Sequence, residues 1–326
     1  NGPNIFYEGD IAEAISKATK NILTNEDIKN FKSKWVSPLS IDLYGKTGWV
    51  TPPHTQSYLT LATLKAYEII TNSSKDFNPH VLIECYRSLA ADRDHITYDY
   101  GDKIDSFIGL DFDYIKSKAL EIDVNQTSLF KSPENLGSGT AYMAVKDEGG
   151  NAVSLIQSNF YGIGSTIGVS DYGFFLHNRG AGFNLIENHP NKIAPLRKPL
   201  HTLSPTIWSK DGKLDMVIGT RGGRYQPQLL SQFILPLLLE SSSLEQVMKK
   251  SRWTIDYFDE HTESHLIFEP GTDKAIIKDL EQKGHNIKIE KSMQGSYGPI
   301  SAICKDNKGQ WSGVADSRVE TSKAIY

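Results

Sequence analysis

Hydrophobic positions in the first part of this chain recur mainly with a helical period. Leu61, Leu64, Tyr67 and Ile70 fall on one helical face and predict a core-facing helix over Tyr58–Ile70. Helical patterns with capping residues predict further helices over residues 11–20, from residue 25, and over residues 78–93, 107–120, 229–239, 243–250 and 274–283. We expect the Tyr58–Ile70 helix to face the core.

Alternation with a strand period is more frequent in the second part. A strand that opens at Thr140, a turn over residues 147–151 and a strand over Ala152–Ser158 predict a central hairpin. A second hairpin is predicted over residues 206–220. Further strands are predicted over residues 40–50, 174–176 (short and buried), 265–268, 287–290, 300–304 and 311–315. Helices with two hairpin-rich strand groups and no internal repeat predict an α+β protein with a layered αββα sandwich.

Composition narrows the class of protein. With 326 residues the chain can form one large domain or two small ones, and a net charge of -4 with mixed signs gives no case for nucleic acid or an anionic membrane. Cys85 and Cys304 are interpreted as buried hydrophobic residues rather than a disulfide or metal site. The longest apolar run, residues 233–239, is too short to span a bilayer. The sequence shows no signal peptide, and the prior removal of a signal peptide is left open.

One threonine occupies a position where it could act as a nucleophile. Thr140 follows Gly137-Ser138-Gly139 directly. If the bond between Gly139 and Thr140 were cut, Thr140 would carry both a hydroxyl and a free α-amine, so one residue would supply nucleophile and base. The same hydroxyl can make the cut, because Gly139 has no Cβ to crowd the attack on its carbonyl. The polar stretch 124–138 is typical of an exposed loop that suits processing. The alternative is an ordinary strand threonine after a surface loop.

Other candidate sites are weaker. Residues 219–223, Gly-Thr-Arg-Gly-Gly, lie between a strand and a helix, where glycine N–H groups can form an anion nest, and the alternative is a tight turn. Glu84, Asp92 and Arg93 are interpreted as structural ion pairs or a solvated helix face. Because neither a complete phosphate loop nor metal-ligand spacing occurs, no cofactor and no metal are expected.

Several motifs in order resemble the γ-glutamyltranspeptidase family of N-terminal-nucleophile hydrolases. These motifs are residues 2–9, 51–54, Thr140 with 151–154, 162–165, 173–179, 199–206, 219–223 and 315–318. The resemblance implies a four-layer αββα fold and a precursor cut before Thr140. Residues 1–139 would be the C-terminal part of the large-subunit segment, whose N-terminal part is missing here, and residues 140–326 the small-subunit segment, together one domain.

The resemblance also implies roles for individual residues. Thr140 would be the nucleophile, and Gly222 and Gly223 the oxyanion donors. Ser158 aligns with a threonine that hydrogen-bonds the nucleophile's amine, although it also fits as a strand-end serine. The pocket-lining residues implied by the resemblance are Asn159 and Tyr161.

The substrate end departs from the family pattern. The family's Asn-Gln-Met-Asp-Asp-Phe run, which grips an α-amino group, is Asn-Arg-Gly-Ala-Gly-Phe at residues 178–183, so Gly182 replaces the amine-binding aspartate. His201 and Thr202 replace paired serines that hold the α-carboxylate. With Arg179, Arg221 and Arg224 nearby, the pocket is predicted to prefer an acidic acyl group without an amine. This pattern resembles the branch of the family that is close to glutaryl-cephalosporin acylases. The alternative interpretation is that these arginines lie on the surface and pair with acidic residues.

The predicted function is therefore a self-processing threonine acyltransferase or hydrolase, with γ-glutamyl amides such as glutathione as the default donor. An amidase for glutaryl-like or other acyl amides is one alternative, and an unprocessed, non-catalytic relative that binds a small carboxylated ligand is another. The expected partners are a small-molecule acyl donor, water or an amino-acid or peptide acceptor, and the two subunits of one precursor, without nucleic acid or membrane. Homo-oligomerisation stays open. A cytoplasmic location is slightly favoured over a secreted or periplasmic one.

Overall fold

The computed structural model describes residues 2, 4–128, 130, 139–256, 265–295, 297–320 and 323–325. The helices are α1 (Asn4–Tyr7), α2 (Asp10–Ala18), α3 (Asn25–Asn30), α4 (Tyr58–Ile70), α5 (Pro79–Ala91), α6 (Arg93–Ile96), α7 (Phe112–Leu120), α8 (Gln226–Leu238), α9 (Leu244–Lys249) and α10 (Lys274–Gln282). The strands are β1 (Leu39–Leu43), β2 (Lys46–Val50), β3 (Thr140–Lys146), β4 (Ala152–Ser158), β5 (Gly168–Val169), β6 (Phe174–Phe175), β7 (Thr206–Lys210), β8 (Lys213–Thr220), β9 (Trp253–Ile255), β10 (His265–Phe268), β11 (Asn286–Ile289), β12 (Ile300–Lys305) and β13 (Trp311–Ala315).

A six-stranded antiparallel sheet in the order β1-β2-β7-β8-β12-β13 forms the centre of the molecule. Helices α4 and α8 cover one of its faces, with α5 and α7 behind α4. The packing is tight, because a Cβ at Gly48 of β2 would lie 2.6 Å from Leu61 of α4 and 3.0 Å from the Trp208 ring. Trp208 is fully buried. This helix-on-sheet layer is the main hydrophobic core.

The β3–β4 hairpin forms the next layer and contacts β8 and β12 of the central sheet. Its inward face carries Thr140, Tyr142 and Ser154, whereas Met143 and Leu155 on the opposite face are about half exposed. The Tyr142 ring lies directly on Gly219 of β8, where a Cβ would overlap it. The hairpin therefore buries the face that begins with Thr140.

Most predicted elements are confirmed, including helix α4, both hairpins and strands β10 and β13. The predicted strand over residues 40–50 is wrong, because Tyr44 and Gly45 both take positive φ and form a two-residue turn between β1 and β2. The segment 174–176 is not a buried strand: only its first two residues pair, and Phe175 is 45% exposed. Strand β9 is too short to show a pattern and was not predicted.

Both cysteines are buried and unpaired, as expected. Within the described ranges, no helix combines the length and apolar composition needed to cross a bilayer.

Replacement of Gly219 by alanine tests the contact between hairpin and sheet. The new methyl group would overlap the Tyr142 ring, so we expect Gly219→Ala to lower the free energy of unfolding by about 1–3 kcal/mol. Gly149→Ala is the matched control in the hairpin turn, because a Cβ there meets its nearest atom at an ordinary 3.4 Å. Urea unfolding measures both variants, and equal destabilisation would contradict the proposed packing constraint.

Candidate active site

Thr140 is the first residue of β3 and is only 9% exposed. It pairs directly with Ser158, the last residue of β4. Ser154, earlier on β4, shares a cavity with Leu214 at the start of β8, and Tyr142 lies on Gly219 near the end of that strand. The hairpin and β8 therefore run so that Thr140 lies at the end of β8 that leads into the glycine turn.

The residue before Thr140 packs closely against the backbone of the loop that follows β4. A Cβ at Gly139 would overlap the carbonyl oxygen of Gly162 and lie 2.9 Å from that of Phe160. Phe160 is buried and has φ of 80°, a conformation that side-chain-bearing residues rarely adopt. This reversal after β4 brings the Phe160 carbonyl against Gly139, so only glycine fits there.

The segment leading towards Thr140 is fixed as far as Ser128. The Ser128 N–H donates to the buried Glu84 carboxylate at 2.8 Å, and Thr127 Oγ1 donates to it at 3.1 Å. Arg87 pairs with the same carboxylate at 3.0 Å. Glu84 thus belongs to a structural ion pair, as expected. The rest of the predicted exposed loop, residues 129 and 131–138, lies outside the described residues.

The glycine turn follows β8 and leads into α8. Gly222 and Gly223 have φ of 127° and 54°, which are left-handed conformations suited to glycine. Their carbonyls are held by the Tyr225 N–H at 3.0 Å and by Gln56 Nε2 at 3.0 Å. Because both carbonyls are fixed in this way, the orientation of the peptide groups in the turn is fixed as well.

Gly298, in the segment before β12, packs against this glycine turn. Thr220 Oγ1 donates to the Gly298 carbonyl at 2.9 Å and to that of Arg221 at 2.9 Å, and a Cβ at Gly298 would overlap the Arg221 carbonyl. The buried Arg252, which is paired with Asp316 at 2.6 Å, also donates to the Gly298 carbonyl at 2.9 Å. A buried ion pair therefore supports the glycine turn.

The loop after β4 places the remaining predicted pocket residues. Ser158 Oγ accepts a hydrogen bond from the Phe160 N–H at 2.9 Å, which fixes the reversal. Asn159 Nδ2 donates to the Ile163 carbonyl at 3.2 Å. Tyr161 is 37% exposed, and its ring lies 4.3 Å from that of Phe160. Asn159 and Tyr161 thus flank Phe160, whose carbonyl packs against Gly139.

Arg179 reaches the same place from another segment. It is 8% exposed, its guanidinium lies 5.1 Å from the centre of the Phe160 ring, and Nη2 donates to the Ser158 carbonyl at 3.4 Å. Among the described residues, no partner satisfies its buried Nη1. Burial lowers the pKa of Arg179 to about 10, so the side chain stays charged at neutral pH. A cation therefore lies beside the residue that pairs with Thr140.

His201 and Thr202 lie where the site meets the segment before α4. The His201 ring packs edge-on against His54 at 5.4 Å, and Thr202 is 1% exposed. Burial, with the Arg179 charge next, lowers the pKa of His201 to about 2. Burial lowers the pKa of His54 to about 4 and also lowers that of His177. All three imidazoles are therefore neutral at pH 7.

The predicted arginines differ in their surroundings. Arg224 pairs with Asp256 at 3.3 Å and donates to Tyr225 Oη at 2.7 Å. For Arg224, the alternative interpretation as an arginine paired with an acidic residue is therefore correct. Arg221 is half-buried in the turn, where its backbone carbonyl is held by Thr220.

Sequence reasoning missed Gln56, which connects the two parts of the site. Its fully buried side chain donates from Nε2 to the carbonyls of Thr202 and Gly223, at 3.0 Å each, and Oε1 accepts from Arg93 at 3.3 Å. The motif over residues 51–54 drew attention to this region without indicating the glutamine two residues later. Phe160 was also missed, because nothing in its sequence context indicates a left-handed residue.

A family model described as gamma-glutamyltranspeptidase matches residues 1–326. The chain belongs to this family. The predicted resemblance is thereby confirmed over the whole sequence.

Individual relatives support the same placement. The chain is 35% identical over 328 residues to the glutathione hydrolase-like YwrD proenzyme of Bacillus subtilis, covering 97% of this chain and 62% of that one. It is 28% identical over 332 residues to the oxamate amidohydrolase proenzyme of Klebsiella pneumoniae, covering 100% and 62%. The crystal structure of a cephalosporin acylase from Bacillus halodurans matches with a TM-score of 0.83 at 26% identity, covering 99% of this chain and 60% of that one.

The structural match confirms the predicted α+β fold of the N-terminal-nucleophile hydrolases. The chain spans about three-fifths of the length of these relatives.

The neutral histidines make stability dependent on pH. The pKa of His201 is about 2 in the folded protein and about 6.5 in an unfolded chain, so the unfolded state binds more protons below pH 6.5. Stability should therefore fall as the pH drops from about 6.5 towards 4. We expect His201→Gln to weaken this fall, whereas the exposed control His95→Gln should retain it. Thermal unfolding midpoints at about pH 7 and pH 5 decide this, and an undiminished fall in His201→Gln would contradict it.

Proposed function

We propose that this chain contains the nucleophile of a self-processing threonine amidohydrolase and acyltransferase. The observation that carries the proposal is the position of Thr140: buried, at the start of a strand, and directly after a glycine that packs against the backbone of residues 160–162 with no room for a side chain. The names of the two relatives that end in "proenzyme" support a precursor. Residues 1–139 and 140–326 would be its two segments. By family, γ-glutamyl amides such as glutathione are the default donor.

Self-cleavage would need only groups at the Gly139–Thr140 bond and one water molecule. Thr140 Oγ attacks the Gly139 carbonyl carbon, the C–N bond breaks, and the released nitrogen takes up the hydroxyl proton, which leaves an ester to Thr140 and a free α-amine. Water then hydrolyses the ester, giving a carboxylic acid at Gly139 and restoring the Thr140 hydroxyl. Gly139 packs against the Phe160 and Gly162 carbonyls, where a Cβ would not fit, so a glycine is required at the bond that is cut.

In turnover the freed amine would act as the base. It accepts the Thr140 hydroxyl proton as Oγ attacks the amide carbonyl of the donor, and an unperturbed α-amine with a pKa of about 8 suits this task near neutral pH. The N–H groups of Gly222 and Gly223 would stabilise the oxyanion. The leaving amine takes the proton, and the acyl ester on Thr140 is resolved by water in hydrolysis or by an amine in transfer.

One observation favours a second donor class, acyl amides without an α-ammonium group. A Cβ at Gly182 would lie 2.5 Å from the Leu200 carbonyl oxygen, so this position has no room for the aspartate that binds an amine in the family pattern. Asn191 fixes the two segments by donating to the Gly182 carbonyl at 2.6 Å and accepting from the Leu200 N–H at 3.1 Å. Two of the relatives are named as an oxamate amidohydrolase and a cephalosporin acylase, and these names are compatible with an amidase of this kind.

Intact mass under denaturing conditions tests the proposal. We expect the wild-type protein to give two fragments that meet at Gly139 and Thr140. Thr140→Ala should remain one chain and release no acyl product, because it lacks the attacking oxygen. Thr140→Ser, the conservative control, should retain part of both reactions. An uncut wild-type chain that binds glutamate or glutarate would instead indicate a non-catalytic relative, and full activity in Thr140→Ala would remove Thr140 from the mechanism.

A further inference from the structure

Arg179 is a buried cation whose charge is not balanced within the described part of the chain. Its pKa is lowered by burial, and no carboxylate contributes to the shift. Nη1 is buried without a partner among the described residues, and Nη2 has only a long 3.4 Å contact with the Ser158 carbonyl. Burial of an uncompensated charge is costly, and buried charges in proteins are normally paired, so this arginine is suited to bind an anion.

The groups around Arg179 are neutral rather than acidic. The Arg179 backbone N–H donates to His177 Nδ1 at 3.2 Å, and the His54 and His201 rings pack against each other at 5.4 Å. Burial lowers the pKa of all three histidines, with the Arg179 charge a further cause, so they carry no charge at pH 7. The Lys198 charge also lowers the pKa of His54, and the Asp99 carboxylate raises it. Asp99 accepts the Lys198 backbone N–H at 2.9 Å. Neutral imidazoles can hydrogen-bond an anion without competing for it.

The position of Arg179 relates it to the proposed nucleophile. Its guanidinium contacts the carbonyl of Ser158, and Ser158 is the residue directly opposite Thr140 across the hairpin. Directly paired residues in antiparallel strands have Cα atoms about 4.5–5.5 Å apart. A short acyl chain attached to Thr140 can therefore extend towards Arg179.

We propose that Arg179 binds a carboxylate at the far end of the acyl group, so that the preferred donors are monoamides of short dicarboxylic acids. This inference rests on the function proposed above. A γ-glutamyl group carries an ammonium beside that carboxylate, and Gly182 offers it no counter-charge, since a side chain there would collide with the Leu200 carbonyl. Arg179 would repel the ammonium as well. A glutaryl group has the same length and carboxylate without the ammonium.

Three anilides of equal acyl length separate these contributions: glutaryl, γ-glutamyl and pentanoyl p-nitroanilide. We expect the wild-type protein to have the highest kcat/KM for the glutaryl compound. Arg179→Gln should lower that value by about 10- to 100-fold, the usual effect of losing a charge-assisted hydrogen bond, and leave the pentanoyl value essentially unchanged. Arg179→Lys should be intermediate, because it keeps the charge and loses the bidentate geometry. Arg197→Gln, which removes an exposed arginine from a nearby loop, should behave as wild type.

Binding of free glutarate to Thr140→Ala, measured by calorimetry, tests the site without turnover. We expect binding that is lost in the Thr140→Ala/Arg179→Gln double variant and retained in Thr140→Ala/Arg197→Gln. Equal kcat/KM for glutaryl and pentanoyl anilides, or equal losses for both in Arg179→Gln, would overturn the anion site. If a chain cut before Thr140 turns over none of the anilides, the proposed function is wrong, and the glutarate titration still decides the role of Arg179.

Discussion

The packing of the β3–β4 hairpin against strand β8 is the constraint on which the site depends. The Tyr142 ring on Gly219 fixes how close the two layers approach, and the direction of the strands then sets Thr140 at the end of β8 where the glycine turn begins. On its other side Thr140 follows Gly139, which the backbone of the β4 reversal confines. Two contacts that only glycine permits thus position the proposed nucleophile and the bond before it.

Polar groups in the interior connect the turn to more distant parts of the chain. Gln56 holds the carbonyls of Thr202 and Gly223 with one amide, and the Arg252–Asp316 pair supports the turn through Gly298. Buried groups of this kind are costly when one partner is lost, so they fix a single arrangement of the loops. The cation of Arg179 differs from them, because its partner in our account is the substrate.

Strong periodicity and local chemistry made much of the fold predictable. The spacing of apolar residues predicts helix α4 and the central hairpin. The three small residues before Thr140 indicate that it could act as a nucleophile. Other features depend on contacts between distant segments. The left-handed Phe160 is stabilised by packing that its neighbours in sequence do not reveal, and the turn at Tyr44 interrupts a pattern that continues smoothly on both sides. The unbalanced charge of Arg179 follows from burial, which sequence alone does not give.

The central claim is that an acyl group is carried on Thr140 after its α-amine has been freed. It is tested most directly by mixing the protein with glutaryl p-nitroanilide, quenching in acid within the first turnovers, and measuring the masses of the fragments. Our account predicts that the fragment beginning with Thr140 gains the mass of one glutaryl group, and that peptide mapping places it on Thr140. An acyl group on any other residue, or rapid release of nitroaniline with no acylated fragment at any quench time, would contradict it.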